Sequence, residues 1–199
     1  MDQEYKWTTI KSRQPDEFQE SHPEEKPEPS EEKQVYDPLA LDRPAEEMML
    51  DIKEGQRGIS FARLFAPYLK SAAIGKVCDP YIRLQYQIYN FMSFCEILEP
   101  SEEGVKVELM TSVESYQESE LKRKLENMKT GFSQNQIELD YRFDNSLHDR
   151  WIETDTGWKI ILGRGLDIFQ KPEDRFTLGF FDQTKRKCKA TTITYVRRV

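Results

Sequence analysis

The chain has 199 residues, a formal net charge of −7 and 37% hydrophobic residues, a composition that suits one folded domain with an additional polar segment. It lacks an apolar run near the about 20 residues that a membrane-spanning helix needs. Its three cysteines have no C-x-x-C spacing, which argues against a disulfide framework and a zinc site. We therefore expect a cytoplasmic protein, peripheral at any membrane, without a metal or cofactor.

Residues 1–47 are predicted to form a disordered acidic leader, because residues 12–47 are rich in Pro, Glu, Gln and Ser and contain little apolar surface to bury. Residues 1–58 contain 16 acids and 8 bases, whereas the remainder contains 20 acids and 21 bases. The negative charge therefore belongs mainly to the leader, and one nearly neutral domain is predicted over residues 48–199. An apolar island at 35–41 is either a linker or a docking motif.

The first folded elements are predicted from apolar spacing. An apolar helical stripe runs from Phe61 to Leu69, with Ser60 as its N-cap, and Pro67 is expected to end or kink this helix. A first strand is predicted at Ile74–Asp79. The helix that follows, Arg83–Leu98, has an apolar face made of Leu84, Ile88, Phe91, Met92, Cys95 and Leu98.

The second half of the chain alternates strands with one helix and then continues as a hairpin and a closing strand. The hairpin is expected to turn at Thr156-Gly157. The predicted elements are, in order, strand Val105–Thr111, helix Ser115–Lys129, strands Ile137–Phe143, Arg150–Thr154 and Trp158–Leu162, and strand Ala190–Arg197. This order predicts an α/β sandwich with a mixed sheet.

The candidate catalytic residues are His148, Arg150 and Asp155, spaced H-x-R-x4-D. If Arg150–Thr154 is a strand, His148 and Arg150 point to the same side. An imidazole can attack phosphorus, and a guanidinium can hold phosphate oxygens with two parallel hydrogen bonds. Three structural roles stay open: a structural histidine, an arginine paired with Asp149 or Asp167, and an aspartate that serves the turn.

Further candidate phosphate-binding residues are basic. Arg164 lies between Gly163 and Gly165, where backbone amides can approach an anion. The chain from Gln183 onward contains six bases and no acid, and such a patch suits lipid headgroups or nucleic-acid phosphates, although it also suits a solvated surface. The candidates in addition to His148 and Arg150 are Lys159, Arg164, Lys185, Arg186 and Lys187.

These residues carry a family resemblance. The H-x-R-x4-D spacing resembles the signature of the phospholipase D superfamily, with arginine in place of lysine. Together with DPYIR (79–83), SLHDR (146–150) and GRGLD (163–167), it resembles the C-terminal domain of the MIT-domain proteins that act with the ESCRT machinery, over about residues 58–199. The resemblance implies a phospholipase D-like fold, a non-catalytic homodimer and binding to acidic lipids.

The chain departs from that family because an acidic leader stands where the MIT helical bundle is expected, so binding of ESCRT tails does not carry over. We expect a binding or recruitment module that recognises phosphate-bearing surfaces, anionic membrane or nucleic acid, and a protein partner such as an ATPase or ESCRT-like machinery. The alternative is a metal-independent, dimeric phosphodiesterase or nuclease, in which His148 attacks phosphorus, Arg150 holds the phosphate and Asp155 orients the imidazole. A third hypothesis makes the leader the partner-binding element.

Overall fold

The computed structural model describes residues 37–172, 174, 176 and 180–198. The leader predicted to be disordered lies mostly outside these residues, since its first 36 positions are not described. The elements are β1 (Met48–Ile52), α1 (Phe61–Leu69), β2 (Ile74–Cys78), α2 (Gln85–Cys95), β3 (Val105–Thr111), α3 (Glu118–Ser133), β4 (Ile137–Phe143), β5 (Trp151–Thr154), β6 (Trp158–Leu162) and β7 (Thr191–Arg197), with a 3-10 turn at Gln183–Lys185.

The strands form one seven-stranded mixed sheet in the order β1-β7-β6-β5-β2-β3-β4. The pairs β2–β3 and β3–β4 are parallel, and the remaining neighbours are antiparallel. Parallel neighbours need a crossover connection, which α2 and α3 supply here. The α/β class and the mixed sheet predicted from the sequence are confirmed.

The core lies between one face of this sheet and the helices. Ser60 caps α1 by accepting the N–H of Arg63 at 3.2 Å, as predicted. Phe91 of α2 is fully buried and Trp158 of β6 is 8% exposed, so both predicted core residues are confirmed. Each strand from β2 to β7 contributes buried side chains to the core, among them Val77, Val107, Leu139, Ile152, Ile160 and Ile193.

The opposite face of the sheet borders a broad concavity of about 670 Å³. Its lining comes from β2–β5 and the 146–149 segment, without a helical residue. This surface is called the open face, and it includes Lys76, Cys78, Glu108, Met110 and Trp151. Charged neighbours pair across it, as in the 3.6 Å contact between Lys76 Nζ and Glu108 Oε2. A sheet with antiparallel strands tolerates one hydrated face in this way.

Several predicted details are corrected by the structure. Strand β1 was not predicted, so the strand predicted as the first is β2. Leu84 is not buried but exposed, because it is the N-cap that precedes α2. Helix α1 continues for two residues beyond Pro67, because a proline in the last turn removes only one hydrogen bond of the helix.

Candidate functional site

Arg150 is held beside the end of β6. Its carbonyl accepts the N–H of Leu162 at 2.9 Å, which keeps the residue in line with the sheet. Its guanidinium carbon lies 4.4 Å from the ring centroid of Tyr81, and its Nη1 donates to the carbonyl of Gly163 at 3.2 Å. The arginine is therefore fixed by an aromatic ring and by a backbone carbonyl.

Arg164 reaches the same place from the turn after β6. Its Nε donates to the carbonyl of Ala190 at 3.0 Å. Both arginines line a concavity of about 570 Å³, together with Tyr81, Tyr86 and Gln87, and we call it the arginine concavity. Within the described residues, neither guanidinium has an ion pair with a carboxylate. Their remaining N–H groups therefore stay available to an external anion.

Buried Asp79 supports the turn that carries Arg164. This carboxylate is 2% exposed and accepts the N–H groups of Tyr81 at 3.0 Å and Leu166 at 3.1 Å. Gly165 must be glycine here, because its φ is +62° and a Cβ would lie 2.0 Å from Asp79 Oδ2 and 3.1 Å from Arg150 Cδ. Asp79 thus joins the β2–α2 turn to the turn that carries Arg164.

Burial raises the pKa of the Asp79 carboxyl above its ordinary value, and its two backbone hydrogen bonds and nearby Arg150 partly oppose that rise. Asp167, also at the concavity, forms an ion pair with Lys189 at 2.7 Å instead of pairing with Arg150. Burial, followed by the charge of Asp167, raises the pKa of the Tyr86 hydroxyl. The acidic groups around the arginines are therefore occupied by other partners.

The structure separates His148 from Arg150. His148 is exposed and lines the open-face concavity with Asp149 and Trp151, whereas Arg150 lines the arginine concavity. The expected shared orientation is wrong because β5 begins only at Trp151. Side chains alternate regularly within a strand, and residues 148–150 precede it.

Asp155 lies in the turn between β5 and β6, but its carboxylate bonds to a residue outside that turn. Both of its carboxylate oxygens lie 3.2 Å from the N–H of Ala73, which donates to them. The four residues of β5 separate it from His148 along the chain. At about 3.3 Å per strand residue, this exceeds ~13 Å, so Asp155 does not orient the His148 imidazole of its own chain.

The remaining predicted phosphate contacts are scattered. Lys159 forms an ion pair with Glu153 at 2.8 Å and lies 4.7 Å from the Trp151 ring centroid. Lys185 contacts Asp182 at 3.3 Å, and Lys187 is exposed without an ion pair among the described residues. Binding of phosphate by these lysines stays a prediction.

Arg186 has a structural environment. It donates to the carbonyl of Gln170 at 3.2 Å and lies 4.8 Å from the Phe169 ring centroid. Burial lowers the pKa of its guanidinium. A side chain held this way contributes packing, and it is less available to a surface ligand than Lys187.

Two tyrosines near the arginine concavity were not among the candidate residues. Tyr86 and Tyr89 are about half exposed on α2, and Tyr86 lines the concavity. The signal was present: both interrupt the polar side of an otherwise amphipathic helix, where charged residues are usual. Over the described ranges, no group of three or more His, Cys, Asp or Glu residues is placed to hold a metal, and no helix has the length and apolar character to cross a bilayer.

Comparisons with known proteins agree with this architecture. Residues 58–197 match the family described as phospholipase D-like domain at C-terminus of MIT. MIT domain-containing protein 1 of Mus musculus is 37% identical over 147 residues, covering 72% of this chain and 59% of that protein. This chain therefore spans less than two thirds of that relative.

Solved structures give more distant likenesses. Phosphatidylserine synthase of Haemophilus influenzae Rd KW20 has a TM-score of 0.45 and 14% identity, covering 76% of this chain and 34% of that chain. The archaeal chromatin protein TrmBL2 has a TM-score of 0.37 and 12% identity, covering 79% and 49% respectively. Likenesses this remote carry no argument about function.

Proposed function

Because this chain belongs to the family of phospholipase D-like domains found at the C-terminus of MIT, we propose that it is a non-catalytic binding module. It recognises phosphate groups on an anionic membrane or a nucleic acid and recruits a protein partner. The observation that carries this proposal is the arginine concavity, where Arg150 and Arg164 converge without a carboxylate partner among the described residues.

The electrostatics favour an anion at this place. Arginine keeps its charge at all physiological pH values, and its planar fork matches two oxygens of a phosphate. Each guanidinium is already anchored by a backbone carbonyl, Gly163 for Arg150 and Ala190 for Arg164. Anchored donors lose little conformational entropy when a ligand arrives, so binding costs less than it would with free surface side chains.

The phosphodiesterase alternative lacks comparable support. Its three residues are not assembled within one chain, because His148 lines a different concavity from Arg150 and Asp155 lies at the far end of β5. A binding role needs neither a nucleophile nor its orienting acid. The direct check is cleavage of a generic phosphodiester in EDTA, where turnover that His148→Ala abolishes would overturn the proposal.

We also propose that the module acts as a homodimer. Ile161 of β6 is 45% exposed and lies opposite Trp151 in the β5–β6 register, which places an apolar strip on the open face. A second copy would cover this strip and would double the number of phosphate sites, which raises avidity for a charged surface. Light scattering that gives the 23.6 kDa of one chain at micromolar concentrations would contradict this.

The phosphate role is tested by paired arginine variants. Vesicles with and without phosphatidylserine, and a labelled oligonucleotide at low salt, are titrated with wild type, Arg150→Ala and Arg164→Ala. Arg123→Ala on exposed α3 removes the same charge elsewhere and serves as the matched control. Weaker binding of either probe in the concavity variants, with the control unchanged, supports the proposal. An equal loss of affinity in all three variants, or no binding of wild type to either probe, would contradict the proposal.

A further inference from the structure

An uncharged aromatic ledge borders the arginine concavity. Tyr86 is 49% exposed and Tyr89 is 57% exposed, and Leu84 and Gln85 beside them are exposed and uncharged as well. A solvent-facing helix side normally carries charged residues. An exposed, uncharged side with two aromatic rings instead indicates a surface that contacts a ligand.

The two rings stand in a usable arrangement. Residues three apart on a helix are neighbours, with about 5–6 Å between their Cβ atoms, so Tyr86 and Tyr89 project from the same side of α2. The Tyr86 hydroxyl accepts from Gln87 Nε2 at 3.3 Å, which steadies the ring nearest the arginines. A ligand that enters the concavity therefore meets two guanidinium groups and then two aromatic rings.

We propose that this surface binds a short stretch of single-stranded nucleic acid. A backbone phosphate sits between Arg150 and Arg164, and the adjacent bases stack on Tyr86 and Tyr89. This inference rests on the phosphate role proposed above and assigns the rest of the ligand. Every base offers a flat face to an aromatic ring, so recognition is independent of sequence.

The shape of the site favours a nucleic-acid strand over a membrane as the ligand. Lysine and arginine side chains that bind membranes project on flexible stems toward a plane of lipid headgroups. Arg150 and Arg164 are instead tied to backbone carbonyls within a concavity of about 570 Å³, which a protruding phosphate can enter. The chain outside residues 1–58 is also nearly neutral in formal charge, so it offers no extended basic surface to a long nucleic acid. We therefore expect the bound stretch of nucleic acid to be short.

The experiment measures fluorescence anisotropy of a labelled oligothymidylate with wild type, Tyr86→Leu, Tyr89→Leu and Tyr116→Leu. Leucine keeps apolar surface but cannot stack, and Tyr116 is an exposed tyrosine outside the concavity lining, which makes it the matched control. Each ledge variant should weaken binding about 10-fold, while the control binds like wild type. Because one backbone phosphate is neutralised on a single strand, the log–log salt slope should be shallow, about −0.7.

Four further measurements separate the outcomes: pyrophosphate competition, the Arg150→Ala variant, a duplex and anionic vesicles. Inorganic pyrophosphate should compete through the arginines, so competition that persists in the tyrosine variants confirms the phosphate site. If oligonucleotide binding is lost in Arg150→Ala but unchanged in both tyrosine variants, the stacking inference is wrong while the phosphate role stands. The single-strand proposal is also wrong if a duplex binds as tightly as the single strand. It is wrong as well if anionic vesicles bind through the tyrosines and the oligonucleotide does not bind. If the protein binds neither pyrophosphate nor the oligonucleotide, the phosphate role itself is wrong.

Discussion

Replacing Gly165 with alanine should disrupt the contact between Asp79 and the turn that carries Arg164. The alanine Cβ would lie 2.0 Å from Asp79 Oδ2 and 2.7 Å from Asp79 Cγ, so the carboxylate must move. It would then lose the buried N–H of Leu166, which costs about 1–3 kcal/mol when left without an acceptor. The left-handed φ of +62° adds about 1–2 kcal/mol of strain. We expect a total loss of roughly 2–5 kcal/mol in the free energy of unfolding.

Gly55→Ala is the matched control for this prediction. Gly55 has a φ of +76°, and a Cβ there would meet no atom within 4 Å, so this variant reports backbone strain alone. Urea denaturation of both variants isolates the clash as the difference between them. A double-mutant cycle with Asp79→Ala supplies a second check, because removing the carboxylate removes the clash.

In the Asp79→Ala background, the cost of Gly165→Ala should fall toward that of Gly55→Ala, with only the 3.1 Å approach to Arg150 Cδ remaining. A Gly165→Ala cost no greater than that of Gly55→Ala in the wild-type background would contradict this prediction. A cost that is the same with and without the Asp79 carboxylate would also contradict it, since the two residues would then not be coupled.

Other predictions concern the core and the buried acid. Phe91→Ala and Trp158→Ala should each lower the unfolding free energy, measured in urea, by about 3–5 kcal/mol. The control Tyr116→Ala should change it by no more than about 0.5 kcal/mol. A loss below about 1 kcal/mol at both core sites would contradict the packing. Because burial raises the pKa of Asp79, its contribution to stability is full below the unfolded pKa near 3.9 and is lost as pH rises through the folded pKa. The unfolding free energy of wild type minus that of Asp79→Asn should therefore fall as pH rises from about 4 toward 7, and a rise would refute this.

Local periodicity accounts for the elements that were predicted well. Strands β3 and β4 match their predicted bounds because apolar residues alternate cleanly through each of them. Strand β1 was missed because its support is distant: Met48 pairs with Tyr195, at the other end of the chain. A short edge strand is stabilised by its distant partner, so its local sequence does not predict it.

The site was predicted in part for similar reasons. Arg150 and Arg164 were both candidates, but their convergence depends on the β5–β6 register and on close approach at Gly165. The pairing of His148 with Arg150 assumed a strand that began one residue earlier than β5 does. Turn chemistry predicted the position of Asp155 in the hairpin, whereas its bond to Ala73 and the Tyr81–Arg150 contact both join separate elements.

The most direct test of phosphate recognition is a titration of the isotopically labelled chain with inorganic pyrophosphate, observed at the Arg Nε–H and histidine ring signals by NMR. We expect saturable shifts of the Arg150 and Arg164 Nε–H signals, with the His148 ring signals unchanged. Shifts at His148 and along the open face, with both arginine signals unmoved, would contradict it.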